Sequence, residues 1–200
     1  MKVQIIYCHP SKKSYTYEIL EQIKATLDKA KITYDISDLY AMGFQTDMNE
    51  AEYEREGFAK IELPIPKEVK EEHEKIAQAD ALIFIYPVWW SDCPAKLKGW
   101  FDRVYSVGYA YGTANSTPSE KMKPIKYGLV ICTAGHPNEY LKEIGIAESM
   151  RNIMIDDRLG NRFLNKELII LGGTLDKETV QPIHTKIINS IGDKIKKHCS

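Results

Sequence analysis

Six consecutive apolar residues, Ala81 to Tyr86, run Ala-Leu-Ile-Phe-Ile-Tyr and are followed at once by Pro87. The run is short, rich in β-formers and free of polar–apolar alternation. Such a strand is buried on both faces, the setting of a central strand in a parallel sheet. Pro87 ends it, because proline has no N–H to give the ladder. Pro94 is the predicted first residue of a helix, with Asp92 or Cys93 at the cap position. From there Ala95, Leu97, Trp100, Phe101, Val104 and Tyr105 recur at helical spacing, with charged residues between them.

The rest of the chain supplies further strands and helices in alternation. Lys2 to Tyr7 reads as a first buried strand, and Tyr15 to Lys29 as a helix with Ile19, Leu20, Ile23 and Leu27 inward. Ile32 to Ser37 is a second strand. Residues 44–66 read as irregular, and their acidic piece, Asn49 to Glu56, as a solvated short helix whose charge needs no functional account. Lys67 to Gln78 is a charged helix leading into the central strand. After a small, polar loop from Gly112 to Lys123 come a strand at Lys126 to Cys132 and a helix at Glu139 to Met150. A polar interruption at Asp156 to Asn165 precedes a fifth strand, Glu167 to Leu171. A last helix, Val180 to His198, carries Ile183, Ile187, Ile188, Ile191 and Ile195 on one face. Five strands alternating with helices predict an α/β, flavodoxin-like doubly wound parallel sheet of order 2-1-3-4-5.

At 200 residues, with no repeat or low-complexity linker, the chain is expected to form one domain over residues 1–200. Its 27 basic and 28 acidic residues give a net charge of −1. That balance removes any bulk-charge argument for nucleic-acid binding, and it argues against the acidic docking surface of an electron carrier. No apolar stretch approaches membrane-spanning length, and no signal peptide is expected from the strand-like opening Met1-Lys2-Val3-Gln4-Ile5. Four scattered cysteines without a Cys-x-x-Cys pair predict reduced thiols and a cytoplasmic setting. The five histidines are dispersed, so no metal site is expected.

In a sheet of this order the loops after strands one, three and four meet at the topological switch point. The first, His9 to Thr16, brings the Ser11, Ser14 and Thr16 hydroxyls to a helix N-terminus, where unpaired amides and the helix dipole suit a phosphate. Ser14 fits equally well as a plain helix cap. No Gly-x-Gly-x-x-Gly or Walker lysine motif is present. The loop after strand three carries Val88, Trp89 and Trp90. Two roles fit the Trp pair: a flat platform for a planar ring system, or one ring packed on the helix and the other on a subunit contact. The loop after strand four, Thr133-Ala134-Gly135-His136, lets backbone approach a ligand closely. Tyr140 follows early on the next helix.

Taken together, His9-x-x-x-x-Ser14-Tyr15, Asp38-Leu39-Tyr40-Ala41-Met42-Gly43-Phe44, Tyr86-Pro87-Val88-Trp89-Trp90, Leu97-Lys98-Gly99-Trp100-Phe101-Asp102-Arg103-Val104 and Thr133-Ala134-Gly135 resemble the NAD(P)H:quinone reductase (DT-diaphorase) family over roughly residues 2–150. The resemblance implies a homodimeric flavoenzyme. Its flavin, FAD or FMN, is reduced by hydride from NAD(P)H and reoxidised by a quinone or another small two-electron acceptor in a ping-pong cycle. It implies that His9, Ser14, Tyr15 and Thr16 hold the phosphate side of the flavin. Pro87, Val88, Trp89 and Trp90 would line the isoalloxazine, and Thr133, Ala134, Gly135 and Tyr140 would meet its pyrimidine edge. Tyr111 falls on the position that closes the substrate pocket, across the dimer. Two departures stand out. Gly145-Ile146-Ala147 replaces the Gly-Ile-His of eukaryotic members, which removes a Tyr–His proton relay. Residues 44–66 are shorter than the segment that holds adenosine in those members. Other functions open to the fold are an FMN azoreductase or nitroreductase, a flavodoxin-type carrier, and a flavin-binding regulatory subunit of a transport system.

Overall fold

The structure, a computed structural model, describes residues 1–112 and 121–199. Most of the Gly112–Lys123 loop therefore lies outside the described residues. Five strands, β1 (Lys2–Tyr7), β2 (Thr33–Asp38), β3 (Ala81–Pro87), β4 (Ile125–Thr133) and β5 (Phe163–Leu171), form one sheet in the order β2-β1-β3-β4-β5. Every pairing is parallel. All seven residues of β3 are buried, as expected of a strand with neighbours on both sides and helices on both faces. Pro87 is its last residue, opposite Thr133.

The helices are α1 (Tyr15–Ala30), α2 (Glu50–Gly57), α3 (Lys67–Ala77), α4 (Ala95–Val104), α5 (Asn138–Glu143), α6 (Ile146–Arg151), α7 (Lys177–Asn189) and α8 (Ile191–Cys199). One face of the sheet packs against α1, α7 and α8 through Ile19, Ile23, Leu27, Ile188, Ile191 and Ile195. The other packs against α3 and α4 through Val69, Ile76, Leu97, Trp100 and Phe101. No helix among the described residues is long and apolar enough to cross a membrane.

Several sequence expectations are corrected. Pro94 is the N-cap of α4, and the helix begins at Ala95. The helix foreseen from Glu139 to Met150 is two helices, because Gly145 adopts φ +75° between them. The polar interruption after it is a π-helical segment, Asn152–Leu159, and a 3-10 turn, Gly160–Arg162. β5 starts at Phe163, four residues before the expected Glu167. It is an edge strand, so Leu164, Asn165 and Lys166 are exposed and carry no buried-strand signature. The last helix divides at Ser190. Ile183 is 61 % exposed rather than inward-facing. Five residues before the buried Ile188, it lies about 140° around the helix.

The acidic helix α2 is not simply solvated. Asn49 and Glu52 form a capping box at its start. Glu52 and Arg55 are buried. Glu52 Oε1 accepts from Arg103 Nε at 2.6 Å, and Arg103 also donates to the Gln45 carbonyl and to Glu68. A charge cluster therefore pins residues 45–56 onto α4. Inside, Glu72 is fully buried yet satisfied. It accepts from the Ser37 hydroxyl (2.8 Å), from Lys75 and from the Trp100 indole N–H (2.9 Å).

Gly99 explains part of the Leu-Lys-Gly-Trp-Phe motif. A Cβ at this position would lie 2.6 Å from both the Cβ and the carbonyl oxygen of Thr46. Gly-to-Ala in a helix interior ordinarily stabilises by about 1 kcal/mol. Here the backbone of Thr46 must move, and Gly99→Ala is expected to destabilise by about 1–3 kcal/mol. Urea denaturation reads the sign directly; a raised midpoint would refute this account of the close approach.

Candidate active site

At the carboxyl edge of the sheet, the three loops after β1, β3 and β4 are tied to one another. The Cys8 N–H donates to the Ile85 carbonyl (2.9 Å), and the Val88 N–H donates to the Thr133 carbonyl (2.8 Å). The Thr16 and Thr133 hydroxyls lie 2.7 Å apart and are buried. His9 and Trp89 meet edge to face, with centroids 6.0 Å apart. His9, Thr16, Val88, Trp89 and Thr133 therefore belong to one crevice, as their positions in the sequence predict.

The loop after β1 is preset. The Ser11 N–H bonds the His9 ring at 3.0 Å, and the Lys13 N–H bonds the Ser11 hydroxyl. Ser14 caps α1: its hydroxyl accepts from the Tyr17 N–H and donates to the Ser11 carbonyl. Its one donor is thereby occupied. What the loop offers an anion is the first helical amides, of Tyr15 and Thr16, which have no intrahelical partner. Burial lowers the His9 imidazole below its ordinary range, so the ring is neutral near pH 7. Burial pushes the Tyr7 phenol, on the last residue of β1, up to about 12, with the Ser14 hydroxyl acting the other way. Tyr15 points elsewhere: its hydroxyl lies 2.9 Å from His184 Nδ1 on α7, and Lys177 sits over its ring.

Neither Trp packs on the helix. Trp89 is 41 % exposed and Trp90 fully exposed. Trp89 and Asp92 exchange both backbone hydrogen bonds, at 3.0 and 3.2 Å. Between them Trp90 and Ser91 have φ of +49° and +65°. That is the geometry of a type I′ turn, which normally requires Asn-Gly or a similar pair. A bulky aromatic there is strained. Asp92 is held by Arg158 of the π-helical segment, through two bonds of 2.8 and 3.0 Å. Sequence reasoning missed Arg158, and nothing in the local pattern marks a partner 66 residues away.

Gly135, Ala134 and Tyr140 follow β4. The Ala134 N–H bonds the Leu171 carbonyl, and Thr174 bonds back to the Ala134 carbonyl. Tyr140 is 44 % exposed, with the His136 ring 4.9 Å from its own. Tyr111 stands apart from these loops in its contacts. Its hydroxyl donates to Glu56 at 3.2 Å, and Glu56 also accepts from the Val107 N–H. Partial burial, followed by the Glu56 charge, pushes the Tyr111 phenol up to about 12. Two hollows of about 440 and 450 Å³ flank the exposed edge of β5. Neither is lined by His9–Ser14, Val88–Asp92 or Ala134–Pro137. The crevice is marked by its chemistry rather than by its depth. It combines free helix amides, a neutral imidazole and exposed aromatic faces, and that set fits a phosphate-bearing, planar-ringed cofactor.

Fold and crevice together define a flavodoxin-like α/β protein of the doubly wound class. A family described as "Flavodoxin-like fold" matches residues 1–165, and the chain belongs to it. A solved NAD(P)H:quinone oxidoreductase from Methanothermobacter marburgensis superposes with a TM-score of 0.90 at 44 % identity, covering 98 % of this chain and 97 % of that one. An uncharacterized NAD(P)H oxidoreductase of Haemophilus influenzae is 31 % identical over 153 residues, 76 % of this chain and 73 % of its own. A ribosyldihydronicotinamide dehydrogenase [quinone] of Rattus norvegicus is 30 % identical over 163 residues, covering 75 % and 70 % of the two chains.

The turn that delivers Tyr111 is braced by His73. Its ring stacks on Tyr109 with centroids 3.6 Å apart, and Nε2 bonds the Val104 carbonyl at 2.8 Å. Burial pushes the imidazole down to about 4, against the hydrogen bond, which acts upward. In the unfolded chain His73 takes up its proton near 6.5, so between about pH 6.5 and 4 the unfolded state binds more protons. Stability should fall as pH drops through that window, by at most about 1.4 kcal/mol per unit from this residue. Denaturant midpoints at pH 7 and pH 5 should differ less in His73→Gln than in the wild type; equal slopes would assign the effect to other groups.

Proposed function

We propose that the protein is a flavin-dependent NAD(P)H:quinone oxidoreductase that works as a homodimer on small quinones. The observation that carries this reading is the tying of the three loops into one crevice through Val88, Thr133, Thr16 and the His9–Trp89 contact. The named relatives, above all the one at 44 % identity over nearly the whole of both chains, support it.

In this reading the Tyr15 and Thr16 amides and the neutral His9 ring hold the cofactor's phosphate side. Ser14 contributes by fixing the helix end. Pro87, Val88, Trp89 and Trp90 line the ring system, and Thr133, Ala134, Gly135 and Tyr140 face its polar edge. A bound flavin, FMN or FAD, supplies the redox chemistry, accepting hydride from NAD(P)H and delivering it to the quinone. The protein's part is to stack both reactants in turn on one face and to keep water out. Trp90, Trp89 and Tyr111 are exposed in the single chain, and a second copy over them completes the pocket; aromatics are enriched in such interface cores. Tyr140 donates one hydrogen bond toward developing negative charge. With Ala147 at the relay position it acts as a donor, not as an essential acid. Four buried, unpaired cysteines suit a cytosolic setting.

Purified protein should be yellow and dimeric, and the mass of the released cofactor separates FMN from FAD. A colourless protein that takes up neither on titration would end this reading. Initial rates with NADH or NADPH against a quinone series should give parallel double-reciprocal plots, because one face serves both substrates; intersecting plots would refute the shared face. Tyr140→Phe should lower turnover by about tenfold or less, the scale of one lost donor. A loss beyond a thousandfold would make Tyr140 an essential acid.

A further inference from the structure

The Trp89–Asp92 turn is strained at two positions and exposes one of them, Trp90, entirely to solvent, so something outside the turn must hold it. Its ties reach one residue of the distant β4–β5 connection. Arg158, 8 % exposed, donates NH1 to Asp92 Oδ1 and NH2 to Oδ2, a two-pronged pair with the planar guanidinium. The same guanidinium is fixed from its other sides. NH1 lies 3.0 Å from Met154 Sδ and 3.4 Å from Cys93 Sγ, and the group stacks 5.3 Å from the Phe101 ring centroid. Arg158 therefore cannot follow the turn; the turn must come to Arg158. The segment that presents it is π-helical, a rare conformation that concentrates at functional sites.

We propose that Arg158 is a positioning residue for the flavin site: by clamping Asp92 it holds Trp89 and Trp90 in the arrangement that stacks the substrate ring. This rests on the cofactor reading above. Without the clamp, Trp90 and Ser91 relax to negative φ, the paired backbone bonds of the turn open, and the aromatic wall loses its fixed face. The pair does more than lend stability, because what it holds is a backbone state that Trp and Ser do not adopt on their own.

Arg158→Gln and Asp92→Asn break the pair from either side. Arg158→Lys keeps the charge but loses the fork. In flavin-free protein, hydrogen exchange of the 88–94 segment should speed up at the Trp89 and Asp92 amides in all three variants. In flavin-loaded protein, KM for the quinone should rise about tenfold, with kcat changed several-fold less, since ring stacking is lost while the hydride chemistry stays. Ser91→Gly, which removes the strain at one of the two positions, should restore protection and KM in part when added to Arg158→Gln. A purely structural pair would lower Tm and leave both the exchange of the 88–94 segment and KM unchanged. Folded variants with wild-type exchange and wild-type KM, or a KM defect that Ser91→Gly leaves untouched, would overturn the clamp. If Arg158→Gln fails to fold, Asp92→Asn and Arg158→Lys carry the same comparison. A wild-type protein that binds no flavin would sink the site reading and the stacking role with it, an outcome distinct from a flavin-binding wild type with unaltered variants.

Discussion

The hydrogen bond from the Val88 N–H to the Thr133 carbonyl is made one residue after the sheet runs out of donors on β3. Pro87 lies on the β1-facing side of the strand, with Ile85, and has no N–H to offer there. Val88 extends the contact between β3 and β4 by one step, and from that point the chain turns outward into the Trp-bearing loop. Thr133 faces two ways at the same level: its carbonyl takes Val88, and its hydroxyl meets Thr16 at the start of α1. Three loops are thus registered against each other by one residue. The arrangement depends on β3 being central and buried, because only a strand paired on both sides has both neighbours' loops within reach.

Two charge clusters outside the sheet tie its connections together. Arg103 gathers Glu52, Glu68 and the Gln45 carbonyl, and its guanidinium packs over Phe44. It fixes a long connection that has little regular structure of its own. From the same region Glu56 reaches the Val107 amide and the Tyr111 hydroxyl. Arg158 and Asp92 join the β4–β5 crossover to the β3 loop. Both arginines are buried and multiply bonded, the condition under which a buried charge is tolerated. Removing one partner would cost far more than the pair contributes net.

The sequence made the fold readable where a strand is buried on both faces. Ala81 to Tyr86, Lys2 to Tyr7 and the strand at Lys126 to Cys132 all stand out by unbroken apolar character, and their spacing with helices gave the sheet order. β5 was misread at its start because an edge strand shows solvent on one side. The α5–α6 division was missed because a single Gly in a periodic helix reads as tolerated, and only its positive φ shows the break. Of the candidate site, the three loops were legible by position. The tight Trp89–Asp92 turn was not, because Trp-Ser is an unlikely pair for a I′ turn and its clamp lies 66 residues away. The burial of Glu52 was equally hidden, since its partner Arg103 lies 51 residues on and helix periodicity reports nothing about contacts at that range.

All four cysteines are free and buried, and burial pushes the thiols of Cys8 and Cys93 up to about 12. Cys132 moves the same way, fully enclosed beneath the crevice. A thiol so placed forms almost no thiolate at neutral pH and meets no reagent. Alkylating agents would therefore label the folded chain only as fast as it opens. Cys8 and Cys132 lie at the carboxyl ends of core strands, Cys93 just before α4, and Cys199 closes the last helix. The order in which they react would give a clock for which part of the molecule lets go first, with no cysteine introduced.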